Sequence, residues 1–234
     1  MPEEERRNYY LTSGKVAILI DGGFFLKRLN CLCKPEERNN VDYIAKMIQI
    51  LCLEHAAHMK QQIYRVFFYD CPPFDRGLHN PLTGCFVKFN QTEQYTFKME
   101  LFEKLRSMRK MALRLGRISI DASSSWQIKS AKVKELLSGK ITVSDLDPVT
   151  DILPSLHQKQ VDLKIGVDIT SMVLKHQVDS MVLVAGDGDF VPASKLARRE
   201  GVDFILDPMW AHINPDLQEH VDGIYSVLFN YKTR

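Results

Sequence analysis

No stretch of the sequence comes near the roughly 18 consecutive apolar residues that a membrane-spanning helix requires. The opening segment, MPEEERRNYYLTSGK, carries charges where a secretory leader would be apolar. A cytoplasmic protein without a membrane partner is expected. Cysteine is scarce and odd in number, five in all, at Cys31, Cys33, Cys52, Cys71 and Cys85, so a disulfide framework is excluded and reduced thiols are expected. The spacing of Cys31 and Cys33 relative to His55 and His58 matches none of the usual structural zinc patterns. An excess of one charge is also missing. Lys plus Arg number 31 against 29 for Asp plus Glu, a formal charge of +2, which excludes a histone-like polycation but leaves a local basic patch open. No G-x-G-x-x-G follows the first apolar run, which disfavours a Rossmann dinucleotide site. Internal repeats and low-complexity tracts are absent from the sequence as well.

What is present is an ordinary globular composition, 45% hydrophobic and 26% charged over 234 residues, enough to bury a core without covalent staples. KVAILID at 15–21 is apolar on both faces, the pattern of a central parallel strand, and it stops at Asp21-Gly22-Gly23. Apolar residues at helical spacing from Val41 to about Lys60 predict a covering helix capped by Asn40. QIYRVFFYD at 62–70 predicts a second strand. Order of the same kind returns after Val161: a helix over 162–175, a buried strand SMVLVAG at 180–186, a helix from Pro192 to Gly201 and the strand VDFILD. This alternation predicts an α/β fold with a parallel sheet covered on both faces. The chain reads as a single domain over 1–234 with a tail at 1–14 and an insertion at 72–158. In that insertion a long helical pattern runs from Glu93 to Leu115, and Asp121 to Lys159 looks irregular apart from a short helical VKELLSG.

Ligands in open parallel sheets bind at the carboxyl ends of the strands. Asp21 ends the first strand and Asp187 and Asp189 follow the strand at 180–186, so both groups are expected at one edge. Asp162, at the start of a helix bordering that edge, can join them. Its companion Asp168, about 600° further round the helix, is expected to point elsewhere. Carboxylates gathered in one pocket repel each other unless a hard divalent cation offsets the repulsion. Mg²⁺ prefers such oxygen ligands, and one or two such ions can orient and deprotonate a water and stabilise the leaving oxygen during attack on a phosphodiester. Gly22, Gly23, Gly186 and Gly188 bracket the acids and would let a phosphate backbone approach. An aspartyl-nucleophile phosphohydrolase is disfavoured, because Gly23 stands two residues after Asp21, where that chemistry usually places an acid.

ILIDGGFF at 18–25, KQVDLKIGVDI at 159–169 and VLVAGDGDFVPASKLARREG at 182–201 resemble the NYN domain, and specifically its LabA-like branch among the PIN-like nucleases. The resemblance implies a PIN-like three-layer α/β/α sandwich with a central parallel sheet and an inserted helical region. It also implies a Mg²⁺- or Mn²⁺-dependent ribonuclease with carboxylate ligands at Asp21, Asp162 and Asp187 and with Asp189 nearby. Two positions depart from the family pattern: Phe24 stands where Asn is common, and Ala185 where Ser is common. Lys159 matches a family lysine, and the resemblance implies contact with a phosphate there, with a solvated surface lysine as the alternative.

Arg106, Arg109, Lys110, Arg114 and Arg117 recur at intervals of three to four residues apart from the adjacent pair Arg109 and Lys110, so a shared basic helical face is expected to bind phosphates. Tyr95, Phe97, Phe102 and Trp126 are candidates for stacking on unpaired bases. The expected function is a metal-dependent endoribonuclease on single-stranded or locally unpaired RNA. The alternative is a catalytically weak or inactive RNA-binding or protein-interaction module on the same fold. A homo-oligomer stays open.

Overall fold

The structure, a computed structural model, describes residues 14–121 and 124–228. All but the last residue of the expected tail at 1–14 therefore lies outside the described residues. The chain opens with β1 (Lys15–Asp21), α1 (Gly22–Leu32), α2 (Val41–Met59) and β2 (Gln62–Asp70). Next come β3 (Gly77–His79), β4 (Phe86–Lys88), α3 (Glu93–Ser107), β5 (Met111–Leu115), β6 (Arg117–Ile120), β7 (Trp126–Ile128), α4 (Ser130–Leu137), β8 (Ile152–Pro154) and β9 (Leu156–Lys159). The last part is α5 (Val161–Leu174), β10 (Ser180–Val184), α6 (Val191–Arg199), β11 (Asp203–Asp207), α7 (Pro215–Glu219) and β12 (Gly223–Ile224).

These elements divide into two compact units. The first holds the described parts of Met1–Asp70, Glu100–Gly116 and Gln160–Arg234; the second holds those of Cys71–Met99 and Arg117–Lys159. The first unit is built on a six-stranded sheet in the order β12-β11-β10-β1-β2-β5, parallel throughout and flanked by helices, the α/β/α arrangement of PIN-like proteins. Its centre explains its pattern. Val16 to Ile20 are wholly buried, because a strand with neighbours on both edges and helices over the sheet has no solvent side. Burial of each such side chain contributes about 1.5–3 kcal/mol. β1 pairs with β10 (Ile20 beside Val184) and with β2 (Asp21 beside Tyr69). Asn40 caps α2 by accepting from the Tyr43 N–H at 3.0 Å.

The helix expected from Glu93 to Leu115 is corrected: α3 stops at Ser107. Lys110 adopts a left-handed φ of 64°, which a continuous helix does not tolerate, and Met111–Leu115 becomes the edge strand beside Val66–Asp70. The second unit is richer in structure than its sequence suggested. It contains three two-stranded antiparallel ladders, β3 with β4, β6 with β9 and β7 with β8, together with α4. Among the described residues no helix is long and apolar enough to cross a membrane.

Candidate functional site

The chain passes from β1 to β2 on one side of the sheet and later fills the other side with β10 and β11. The order therefore reverses between β1 and β10, the place where open α/β sheets bind ligands beyond their carboxyl ends. Asp21 is the last residue of β1, and Asp187 follows the end of β10 by three residues. Asp162 is the second residue of α5. Asp21 also starts α1: its Oδ1 accepts from the Phe24 N–H at 3.1 Å. That helix can begin at once because the next residue is Gly22, where a Cβ would come within 2.5 Å of the Phe68 ring and 2.7 Å of the Tyr69 carbonyl oxygen. Asp187 Oδ1 accepts from the Asp189 N–H at 3.2 Å and so fixes the turn that presents both acids.

Electrostatic coupling ties three of these segments into a chain of neighbours. The Asp21 carboxyl is pushed up to about 6, chiefly by burial, with further contributions from the charges of Asp162 and Asp70. Asp162 is raised as well, first by burial and then by Asp187 and Asp189. Among the described residues no lysine or arginine forms an ion pair with any of these four expected carboxylates. Asp70, which the sequence analysis did not place among the candidate acids, ends β2 at the same edge and is buried. Position at a parallel strand end was the available signal.

Carboxylate oxygens are the donors a hard divalent cation prefers, and acids whose protons are held by mutual repulsion are the ones a cation would release. Among the described residues, however, no three His, Cys, Asp or Glu side chains converge closely enough to enclose a metal ion. The donor set therefore fits an open site, where one or two carboxylates share the ion with water and substrate, rather than a closed cage. Phe24 lies in this region: a Cβ at Gly186 would sit 2.6 Å from its ring. Beside Asp162 and Asp189, a groove of about 570 Å³ runs between α5 and the start of α6, with Gly166, Val167 and Thr170 on one wall and Pro192 and Ala193 on the other.

The basic residues do not form one helical face. Arg106 is on α3, Arg109 and Lys110 are in the turn after it, and Arg114 is on β5. Lys110 Nζ donates to the Ile63 carbonyl at the amino end of β2, so Arg109 and Lys110 lie at the sheet edge opposite Asp21. Arg114 is at the carboxyl edge, but its Nε donates to Asp168 Oδ2 at 3.1 Å, and the Tyr69 hydroxyl donates to the same oxygen at 2.9 Å. Lys159 belongs to the second unit, where it faces Arg117 across the β6–β9 ladder. Phe102 is core, whereas Tyr95, Phe97 and Trp126 are half-buried. All five cysteines are free thiols, and His55 Nε2 lies 2.8 Å from Asp207 Oδ2 with both side chains fully buried.

A model of the NYN domain matches residues 93–228, more than half of the chain. The chain belongs to the NYN domain family. NYN domains belong to the PIN-like nuclease superfamily, whose members typically use divalent metals, and they are generally RNA-related. The match reaches the NYN family without singling out its LabA-like branch. Asp162, Asp187 and Asp189 of this NYN protein lie inside the matched segment, and Asp21 and Asp70 precede it. No curated protein is significantly similar to the chain. Solved structures resemble it loosely. A protein of unknown function from Vibrio parahaemolyticus is 14% identical over 92% of this chain and 93% of that one, with a TM-score of 0.42. A Sir2 mutant with a p53 peptide and NAD is 12% identical over 97% and 93%, with a TM-score of 0.33.

Proposed function

We propose that this NYN domain is a Mg²⁺- or Mn²⁺-dependent endoribonuclease acting on single-stranded or locally unpaired RNA, with one or two ions shared between Asp21, Asp162 and Asp187, water and substrate. The observation that carries this reading is the raised Asp21 carboxyl. A half-buried acid pushed up to about 6 beside other acids, with no lysine or arginine paired to it among the described residues, is a costly arrangement that a stable fold has no need of. When bound, a divalent cation would supply a Lewis acid and an activated water for attack at phosphorus. Asp21, Asp162 and Asp187 offer oxygen ligands from three separate segments. Asp189, tied to Asp187 through its backbone N–H, orients that turn. Asp70 ends β2 at the same edge, and its proximity helps to raise the Asp21 carboxyl. The groove beside Asp162 and Asp189 gives an extended strand a path to the acids.

A second reading, a weakly active or inactive RNA-binding module on the same fold, is favoured by one observation. Phe24 packs its ring on Gly186 at the position where the family commonly has Asn. The two readings part in one assay. Labelled RNA and DNA are incubated with the purified protein, with and without Mn²⁺, beside Asp187→Asn. The nuclease reading expects Mn²⁺-stimulated RNA cleavage that the variant loses by about a hundredfold or more. Equal cleavage by both proteins overturns it, and RNA retention without cleavage supports the module.

A further inference from the structure

The second unit contains a pocket of about 420 Å³, within the ~300–1,000 Å³ of pockets that take small ligands. Its walls are unusually aromatic for so small a unit: Phe74, Phe89, Tyr95 and Trp126 all contribute, and all four are half-buried, so each shows part of its ring to the cavity. Phe74 and Phe89 meet at 5.4 Å and 66°, and Phe89 and Trp126 at 6.1 Å and 47°. Neither pair is stacked face to face, which leaves ring faces available to a flat guest. The polar part of the lining includes Gln94 and Gln158, both exposed, and neither side-chain amide makes a hydrogen bond among the described residues. Each amide offers a donor and an acceptor in one plane.

We propose that this pocket binds an unpaired nucleobase of single-stranded nucleic acid, stacked on the aromatic rings and read at its edge by Gln94 and Gln158. A base has both features the pocket matches: a π face that any ring can stack on, and an edge of alternating donors and acceptors in the plane of an amide. A proline-rich segment also lies well on aromatic walls. It lacks backbone N–H donors at its prolines, however, and so offers the Gln94 and Gln158 amides no planar edge of paired donors and acceptors. The site lies wholly within the second unit, so it stands whether or not the acidic edge of the first unit cleaves RNA.

The full chain carries two tryptophans, Trp126 and Trp210, so a Trp210→Phe background makes Trp126 the sole reporter. In EDTA, where cleavage does not enter, this protein is titrated with AMP, UMP, short oligoadenylates and oligouridylates of RNA and DNA, ribose 5-phosphate and a proline-rich peptide. The expected result is saturable fluorescence quenching by the base-containing ligands and none by ribose 5-phosphate. Phe89→Ala in the same background is expected to weaken that binding by about tenfold or more. Comparison of RNA with DNA oligomers then assigns the preferred sugar. Quenching by ribose 5-phosphate to the same extent, by the peptide alone, or by nothing overturns the proposal. A second measurement needs no substitution. The unaltered chain is photocrosslinked to oligouridylate containing 5-iodouridine, and the adducts are mapped by mass spectrometry. Adducts at Phe89, Tyr95 or Trp126 are expected; adducts confined to the first unit overturn the site.

Discussion

The ring of Phe24 rests against Gly186 so closely that a single added methyl there would come within 2.6 Å of it. This contact joins the first turn of α1 to the loop that carries Asp187, and it has two consequences. It makes Gly186 a position where any Cβ forces the Phe24 ring to shift. It also places an apolar ring beside the candidate carboxylates.

Gly186→Ala should therefore destabilise the fold by about 1–3 kcal/mol through overpacking, read by urea denaturation. Phe24→Asn should have the opposite character. It gives up some packing and raises affinity for Mn²⁺ on the order of tenfold, because a polar side chain replaces the ring next to the acids. Unchanged Mn²⁺ affinity in Phe24→Asn would show that the ring does not restrict the site.

Asp21 predicts a dependence of stability on pH. The folded chain keeps its Asp21 proton up to about 6, whereas the unfolded chain releases it near 3.8, so between those values the folded state holds the extra proton. Stability contributed by this group is present at pH 4 and lost as pH rises through 6. The full difference corresponds to about 3 kcal/mol. Asp21→Asn keeps the cap on α1, since Asn is as good an N-cap as Asp. It should stabilise the metal-free protein at pH 7 by up to about 3 kcal/mol and do little at pH 4. A variant less stable than the parent at pH 7 would contradict the assigned cost of burying the charged carboxyl beside other acids.

His55 and Asp207 form a fully buried contact at 2.8 Å, and Asp207 also accepts from the Met209 N–H at 2.8 Å. Asp207→Ala should cost about 3–5 kcal/mol, because it leaves His55 buried without a partner. Thermal unfolding reads this directly. A loss below 1 kcal/mol would mean the histidine finds another partner.

Arg109 and Lys110 sit at the amino edge of the sheet, away from Asp21. Arg109→Gln should leave Mn²⁺-dependent RNA cleavage within about twofold of the parent at moderate salt, since an exposed charge beyond a Debye length is largely screened. A tenfold loss would return Arg109 to the substrate path.

Where the candidate acids fall in the fold was legible in large part from side-chain pattern alone. The run from Val16 to Ile20 is apolar on both faces because β1 has a strand on each side, and that burial fixed its direction and hence the edge at which Asp21 emerges. Asp162 and Asp187 followed from the same logic. The α3–β5 boundary was not legible: Arg106 to Arg114 keep helical spacing, but a left-handed turn at Lys110 and pairing to β2 override it. Nor was the partner of Arg114, since Asp168 lies 54 residues away in sequence. The second unit was hidden for another reason. Its ladders are only three or four residues long, too short for alternation to stand out from loop composition.

Direct Mn²⁺ binding, followed by electron paramagnetic resonance in the parent and in Asp21→Asn, Asp162→Asn and Asp187→Asn, tests the central claim most closely. Saturable binding by the parent, weakened about tenfold or more in each of the three variants, is the predicted result. Four proteins with the same affinity, or a parent that binds no Mn²⁺ yet still cleaves RNA, would contradict it.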